Sequence, residues 1–219
     1  MLKNLKYFAI VLILMIVIWA IYYTKKSIAV PFPKIAESTE LHEGDIIFQT
    51  SQSSQSEAIQ LATHSRFSHM GILFYEHSNW WVYEAVQPVK KTKLQDWIVR
   101  GKDGEFVVKR LKNATQILTP QHLETLKKVG YSYAGKKYDL AFSWSDEEMY
   151  CSELVWKMYQ NALHIEIGKL QRLSEFDWSN PVVKHKLNER YGNKIPSNEW
   201  VISPQSMFDS PHLETVIMH

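Results

Sequence analysis

The alternation of apolar and polar positions predicts a chain that mixes short strands with helices. After residue 40, short apolar runs and period-two patterns predict strands, and apolar residues that recur every three or four positions predict helices. The predicted strands are 45–49, 69–75, 80–85, 106–111 and the closing HLETVIM; the predicted helices are 56–64, 94–99, the segment that Thr119-Pro120 opens and QSMFDS after Ser203-Pro204. Because strands and helices are intermingled without regular β-α alternation, the pattern predicts an α+β domain.

The start of the chain follows a different pattern. Seventeen residues, from Tyr7 to Tyr23, contain no charge, and lysines flank them on both sides. A run of this kind is typical of a segment that lies in a bilayer. We therefore expect residues 1–26 to form an N-terminal transmembrane helix, a single-pass anchor; the alternative is a signal that is cleaved near residues 27–29.

The rest of the chain divides into a linker and one domain. Residues 27–40 contain two prolines and are interpreted as a short extended linker, and residues 41–219 as the folded domain. The 219-residue chain is 45% hydrophobic and 22% charged, which is enough apolar sequence for a core. Its formal net charge of +2 comes from interspersed residues and not from a basic cluster, so nucleic acid is not an expected partner.

Candidate chemistry centres on the single cysteine of the chain. One cysteine excludes an intramolecular disulfide and a multi-thiolate zinc site, and the histidines lack metal-ligand spacing, so no metal or other cofactor is expected. Cys151, Leu154, Val155 and Met158 fall on one face of a predicted helix, which directs the thiol toward the core sheet. The thiol is then either a small buried hydrophobe or a nucleophile near the positive end of the helix dipole.

A thiol nucleophile needs a base, and strand parity selects one of the nine histidines. His69 opens the strand 69–75, and the chain turns at residues 77–78 before it returns through the strand 80–85. If these strands form a hairpin about that turn, Gly71 lies opposite Glu84, and His69 is the diagonal neighbour of Glu84 on the same face. The hairpin would supply both a base and its orienting carboxylate; the alternative is an edge histidine beside a surface glutamate.

Six short segments, taken in their order along the chain, resemble the motifs of a known family. They are LHEGDIIFQ (41–49), SHMGI, VYEA, GKKYDLAF (135–142), YCSELVW and ISPQSMFDSPHLETV. Together they resemble the circularly permuted, papain-like NlpC-type cysteine hydrolases of the YiiX-like group. Cysteine precedes histidine in unpermuted relatives, whereas here histidine comes first, as a permutation requires. The resemblance implies a papain-like fold whose central antiparallel sheet packs on the cysteine-bearing helix. It also implies Cys151 as nucleophile, His69 as general base and Glu84 as the third member of a triad.

The resemblance further directs attention to residues around the triad. Tyr138 and Asp139 lie shortly before the catalytic helix, and Ser68 precedes His69, so these three are candidate substrate-binding residues. A core tyrosine, a turn aspartate and a strand-start serine are the alternatives for them. The polar stretch 165–202 shows few strand or helix signals and is expected to cover the cleft.

The implied reaction is acyl transfer, in which Cys151 attacks an amide or ester carbonyl and forms a thioester. The first expected function is hydrolysis of an amide bond, in cell-wall peptides, by a membrane-anchored enzyme whose catalytic domain lies on the extracytoplasmic side. The alternative is a lipid-directed thioesterase or acyltransferase with the same triad, because permuted relatives of the lecithin-retinol acyltransferase type act on acyl chains. A catalytically idle binding module is a third possibility, against which the intact triad argues. The expected partners are thus the membrane and a peptide or acyl-lipid substrate.

Overall fold

A computed structural model of the protein describes Met15 and residues 40–219. The expected membrane helix at 1–26, apart from Met15, and the linker up to residue 39 lie outside the described residues. In the described part of the chain, no helix has the length and apolar character needed to cross a bilayer.

A six-stranded sheet organises residues 40–219, and each neighbouring pair of its strands is antiparallel. Its order is β10-β5-β1-β2-β3-β4, and two short strand pairs, β6 with β7 and β8 with β9, lie outside it. The strands are β1 Ile46–Gln49, β2 His69–Glu76, β3 Asn79–Glu84, β4 Lys90–Lys93, β5 Val107–Leu111, β6 Lys137–Tyr138, β7 Glu148–Met149, β8 Gln171–Arg172, β9 Trp200–Val201 and β10 Leu213–Met218.

Helices connect these strands and cover the sheet. The α-helices are α1 Ser56–Thr63, α2 Leu94–Arg100, α3 Ala114–Ile117, α4 Pro120–Ser132, α5 Cys151–Leu163, α6 Pro181–Tyr191 and α7 Pro204–Phe208, and 3-10 turns occupy Lys102–Gly104 and Leu173–Glu175. Three of them begin as the capping signals require: the side chains of Thr119, Asn180 and Ser203 each accept a backbone N–H, and a proline follows each of them.

The β2–β3 hairpin has the register that the sequence predicts. Its two turn residues, His77 and Ser78, have φ angles of 51° and 60°, as in the tight turns whose twist matches paired strands. Ile72 pairs with Tyr83, so the same register places Gly71 opposite Glu84. A Cβ on Gly71 would lie 2.6 Å from the Tyr83 carbonyl oxygen, so only glycine permits this approach of the two strands.

The helix α5 packs on the sheet through one shared core. Met70 and Phe74 of β2 join Leu154 and Met158 of α5 in a single buried cluster. All four side chains are fully removed from solvent. This core holds the helix that carries Cys151 against the strand that carries His69, which confirms the α+β class and the antiparallel sheet packed on the cysteine-bearing helix.

Two segments differ from the sequence prediction. The stretch 165–202, in which the sequence shows few strand or helix signals, contains α6 together with β8 and β9. Asn180 and Pro181 open α6 with the same device that marks α4, yet the polar sequence that follows has little apolar periodicity. The edge strand β4, with the sequence KKTK, also lacks the apolar alternation on which strand prediction depends, because edge strands commonly carry charges.

Candidate active site

Cys151 is the first residue of α5 and is nearly buried, with 2% of its surface exposed. Tyr150 before it has extended backbone angles, so the helix begins at the cysteine itself. The Glu153 side chain accepts the backbone N–H of Tyr150 at 3.4 Å, which closes the start of the helix. The thiol therefore lies at the positive end of the helix dipole, where a thiolate is favoured.

His69 is the first residue of β2, and its imidazole is held between a carboxylate and an indole. Its Nε2 lies 2.6 Å from Oε2 of Glu84. The Trp97 ring of α2 stacks on the imidazole, with 5.9 Å between ring centroids and an interplanar angle of 26°. Because Glu84 occupies Nε2, Nδ1 is the ring nitrogen left to interact with the Cys151 thiol, whose pKa His69 lowers.

Glu84 is fully buried and receives two further donors that the sequence did not indicate. Arg100 donates from Nη2 to Oε2 at 2.5 Å, and Thr92 donates from Oγ1 to Oε1 at 2.5 Å. Arg100 ends α2, and Thr92 lies on the neighbouring edge strand β4. No local pattern connects either residue to Glu84, so their role appears only in the folded chain.

The three groups shift one another's pKa values toward an ionised set. Burial lowers the pKa of His69, but the hydrogen bonds and charges of Cys151 and Glu84 outweigh it and raise that pKa to about 9. Burial raises the pKa of the Cys151 thiol, yet the hydrogen bond and charge of His69 and two backbone N–H groups lower it below its ordinary value. Burial likewise raises the pKa of Glu84, and His69 and Arg100 together bring it down to about 2. At neutral pH the arrangement favours a thiolate, an imidazolium and a carboxylate.

A cavity opens beside the sulfur. Cys151 and Tyr138 form part of its wall, and the 165–202 segment contributes much of the remainder. Most of the lining side chains are apolar, among them Ala58, Ile59, Leu173, Phe176, Trp178 and Val183. The nucleophile therefore borders a space suited to an apolar group.

Tyr138 is the candidate substrate-binding residue that the structure places at the thiol. Its hydroxyl accepts a hydrogen bond from Nε2 of Gln55 at 2.9 Å, and it lines the same cavity wall as Cys151. Arg190 of α6 donates to Oε1 of Gln55, so both side chains fix the position of the hydroxyl. Burial and the charge of Cys151 raise the pKa of Tyr138, which therefore keeps its proton.

Ser68 and Asp139, the other two candidates, do not line this cavity in the described part of the chain. The Ser68 hydroxyl accepts the backbone N–H of Ser51 at 2.8 Å and bonds the Ser56 hydroxyl at 2.7 Å. Asp139 is fully buried and accepts hydrogen bonds from the residue 141 backbone and the residue 143 hydroxyl, at 2.6 and 2.9 Å. These contacts fasten loops.

Metal-ligating side chains do not gather anywhere in Met15 or residues 40–219. No group of three or more His, Cys, Asp or Glu residues in these ranges is arranged to hold a metal ion. The single thiol, that of Cys151, interacts with His69, which lowers its pKa.

Comparisons with known proteins place the chain in a family. Residues 40–217 match the model of a family described as permuted papain-like amidase enzymes, YaeF/YiiX, the C92 family. The chain is 53% identical over 174 residues to the uncharacterized protein YiiX of Escherichia coli (strain K12), an alignment that covers 79% of this chain and 84% of that protein. It also resembles the crystal structure of YiiX from Escherichia coli O157:H7, described as a metalloprotein, with a TM-score of 0.79 and 51% identity; the match covers 82% of this chain and 98% of that one.

Proposed function

The protein belongs to the permuted papain-like amidase family and is a cysteine hydrolase, and from this premise we propose that Cys151, His69 and Glu84 are its catalytic triad. One observation carries the proposal. A single series of contacts leads from the thiol at the start of α5 through the imidazole to a buried carboxylate, and the ionised forms are favoured along it. A nucleophile, a base and an orienting group in hydrogen-bond contact are the arrangement that thiol catalysis needs.

The proposed reaction cleaves an amide bond in two stages. The Cys151 thiolate attacks the carbonyl carbon, and the backbone N–H of Cys151 and the Tyr138 hydroxyl donate hydrogen bonds to the oxyanion. The C–N bond then breaks as His69 transfers its Nδ1 proton to the leaving amine, and a thioester to Cys151 remains. In the second stage His69 takes a proton from water, the hydroxide adds to the thioester, and the C–S bond breaks to restore the thiolate.

The cavity beside the sulfur favours a substrate whose acyl part is apolar. Its lining offers aliphatic and aromatic side chains next to the atom that would carry the thioester. The proposed first function is therefore amide hydrolysis with an apolar acyl group, whether that group belongs to a cell-wall peptide or to another amide. The same lining supports a second candidate, a lipid-directed thioesterase or acyltransferase that uses the same triad.

The location of the enzyme is a further part of the proposal. The uncharged run from Tyr7 to Tyr23, flanked by lysines, supports a membrane anchor. The extracytoplasmic side is proposed for the catalytic domain because a cell-wall substrate would lie there; the lysines, two on each side of the run, favour neither orientation. N-terminal sequencing of the mature protein tests the anchor, because recovery of a chain that begins near residue 30 would show a cleaved signal instead.

The function is tested by presenting the detergent-solubilised full chain with muropeptides, apolar N-acyl amides and acyl thioesters in parallel. We expect turnover of the apolar N-acyl amides that is lost in Cys151→Ala. Turnover of acyl thioesters or acyl transfer without amide cleavage would favour the second candidate. Unchanged turnover in Cys151→Ala would refute the assignment of the nucleophile for both functions.

A further inference from the structure

The helix α2 contacts the candidate triad at two points. Trp97, which is fully buried, stacks on His69, and Arg100 at the end of the helix reaches Glu84. The carbonyl oxygens of Arg100 and Gly101 both accept hydrogen bonds from Nε2 of Gln52, at 3.3 and 3.0 Å. The end of α2 is thereby fastened to the segment that follows β1, and the guanidinium is presented to the carboxylate by a fixed piece of backbone.

The contacts of Glu84 leave its carboxylate no freedom to turn. Oε2 accepts from both His69 at 2.6 Å and Arg100 at 2.5 Å, and Oε1 accepts from Thr92 at 2.5 Å. A buried carboxylate is tolerated when it is paired and hydrogen-bonded, and both conditions are met here. Without Arg100, the only cation that contacts this carboxylate in the described residues would be the imidazolium whose protonation it is meant to control.

The series of contacting groups Cys151, His69 and Glu84 has a net charge of zero in its ionised form only when Arg100 is included. A thiolate at Cys151 and a carboxylate at Glu84 contribute two negative charges, whereas an imidazolium at His69 contributes one positive charge. Arg100 adds the second positive charge next to the carboxylate. Loss of that charge would leave the buried series with a net charge of −1, which disfavours the thiolate relative to the neutral thiol.

We propose that Arg100 is a positioning residue of this site, which holds the Glu84 carboxylate against His69 and supplies the charge that makes the thiolate-containing series neutral. The inference rests on the proposed function, because it deepens the working of the same triad. Arg100 acts through Glu84 and touches no reacting atom. Its side chain is 41% exposed, so solvent screens part of its charge, and the expected effect on the thiol is about one pH unit or less.

Other titratable or charged groups also surround the two ends of the series. Those that interact with the thiol or line its cavity are Tyr138 of β6, Tyr150 at the start of α5, and Lys186 and Arg190 of α6. Glu153 of α5, which forms an ion pair with Lys157 at 2.8 Å, lies one turn along the helix. Lys90 of β4 lies opposite Glu84 in the backbone register of the two strands. A substitution at Arg100 leaves all of these groups in place, so a change in the thiol can be attributed to Arg100.

The test measures how alkylation of Cys151 by iodoacetamide depends on pH in the full chain. Cys151 is the only cysteine, so intact-protein mass spectrometry reports its reaction without a substrate. Arg100→Gln removes the charge, Arg100→Lys retains it, and Arg66→Gln is a matched control because Arg66 forms an exposed ion pair with Glu105 at 3.3 Å. Circular dichroism of each variant establishes that it is folded.

In Arg100→Gln, the alkylation midpoint is expected to rise by up to about one pH unit, which means up to about tenfold slower reaction at a pH below both midpoints. Arg100→Lys and Arg66→Gln should keep the wild-type midpoint. A purely structural role would slow the reaction at every pH without moving the midpoint, and an unmoved midpoint in folded Arg100→Gln would overturn the proposal.

If Arg100→Gln does not fold, a second pair of variants tests the role of the Arg100 charge. Glu84→Gln and the double variant Glu84→Gln with Arg100→Gln differ only in the guanidinium, and the double variant leaves no buried carboxylate unpaired. The double variant should have the higher midpoint, and equal midpoints would overturn the proposal. An ordinary thiol midpoint in the wild type would instead count against the proposed triad, so the two failures are distinguishable.

Discussion

Nε2 of His69 lies 2.6 Å from Oε2 of Glu84, although the two residues are 15 positions apart in the chain. The contact follows from the hairpin register, in which Gly71 faces Glu84 and, because it has no Cβ, permits the close approach of the two strands. A register slip of one residue would direct Glu84 to the other face of the sheet and separate the pair. The turn at residues 77–78 therefore contributes to the candidate active site from a distance, because it fixes that register.

The hairpin pair should behave as one unit in mutational analysis. Glu84→Gln should retain the fold and lower kcat/KM by about a hundredfold to ten-thousandfold, because the amide cannot hold the imidazolium as a carboxylate does. His69→Ala should be at least as harmful, and the double variant should be little worse than His69→Ala alone. Steady-state kinetics on the four proteins of the cycle provide the measurement; multiplicative losses would show that the two residues act separately.

The pH profile of kcat/KM should have its alkaline limb near pH 9. The pKa of His69 is raised to about 9, so the imidazolium that protonates the leaving amine persists up to that pH and is lost above it. The acid limb should lie below the ordinary thiol range, because the pKa of Cys151 is lowered. In Glu84→Gln the alkaline limb should move to lower pH, since the carboxylate that raises the pKa of His69 is gone. An alkaline limb that stays in place would contradict this coupling.

Acid should weaken the fold partly through Glu84. Its pKa is about 2 in the folded protein against an ordinary value of 4.5, so its contribution to stability is present above pH 4.5 and is lost as the pH falls toward 2. The contribution is on the order of 3 kcal/mol at most. Urea unfolding of the wild type and Glu84→Gln should show a difference in unfolding free energy that shrinks through this window. A difference that is independent of pH would mean that the carboxylate is not ionised in the fold.

The apolar cavity should select substrates by the size of their acyl group. Ala62 lines the cavity, and Ala62→Phe would fill part of it, whereas Ala134→Phe places the same group on the exposed surface as a control. We expect Ala62→Phe to lower kcat/KM for long acyl groups by about 10- to 200-fold more than for short ones. Equal effects on long and short acyl groups would show that the acyl part binds elsewhere.

Local pattern and parity were enough to predict the part of the site that a single hairpin and a single helix build. The alternation in β2 and β3 predicts that His69 and Glu84 share a face, and the apolar face of α5 predicts an inward Cys151. Arg100 and Thr92 could not be predicted, because they reach Glu84 from the end of α2 and from an edge strand without apolar alternation. Such contacts depend on how separate elements pack, and sequence spacing does not encode that.

The residues around the cavity were also only partly predictable from the sequence. Tyr138 meets the thiol because β6 pairs with β7 just before α5, whereas its neighbour Asp139 alternates inward and closes a loop. The 165–202 segment forms part of the cavity wall through α6. The Asn180-Pro181 pair at the start of α6 is a sequence signal for the beginning of a helix. The apolar character of the cavity is shared among several elements, so no single stretch of sequence reveals it.

The most direct test of the central claim is to acid-quench the full chain during turnover of an apolar N-acyl amide and to measure its intact mass, followed by peptide mapping. We expect a mass increase equal to the acyl group, on the peptide that contains Cys151, which appears in the wild type and is absent from His69→Ala and Cys151→Ala. Turnover by the wild type with the acyl group attached to another residue, or turnover that persists in Cys151→Ala, would contradict it.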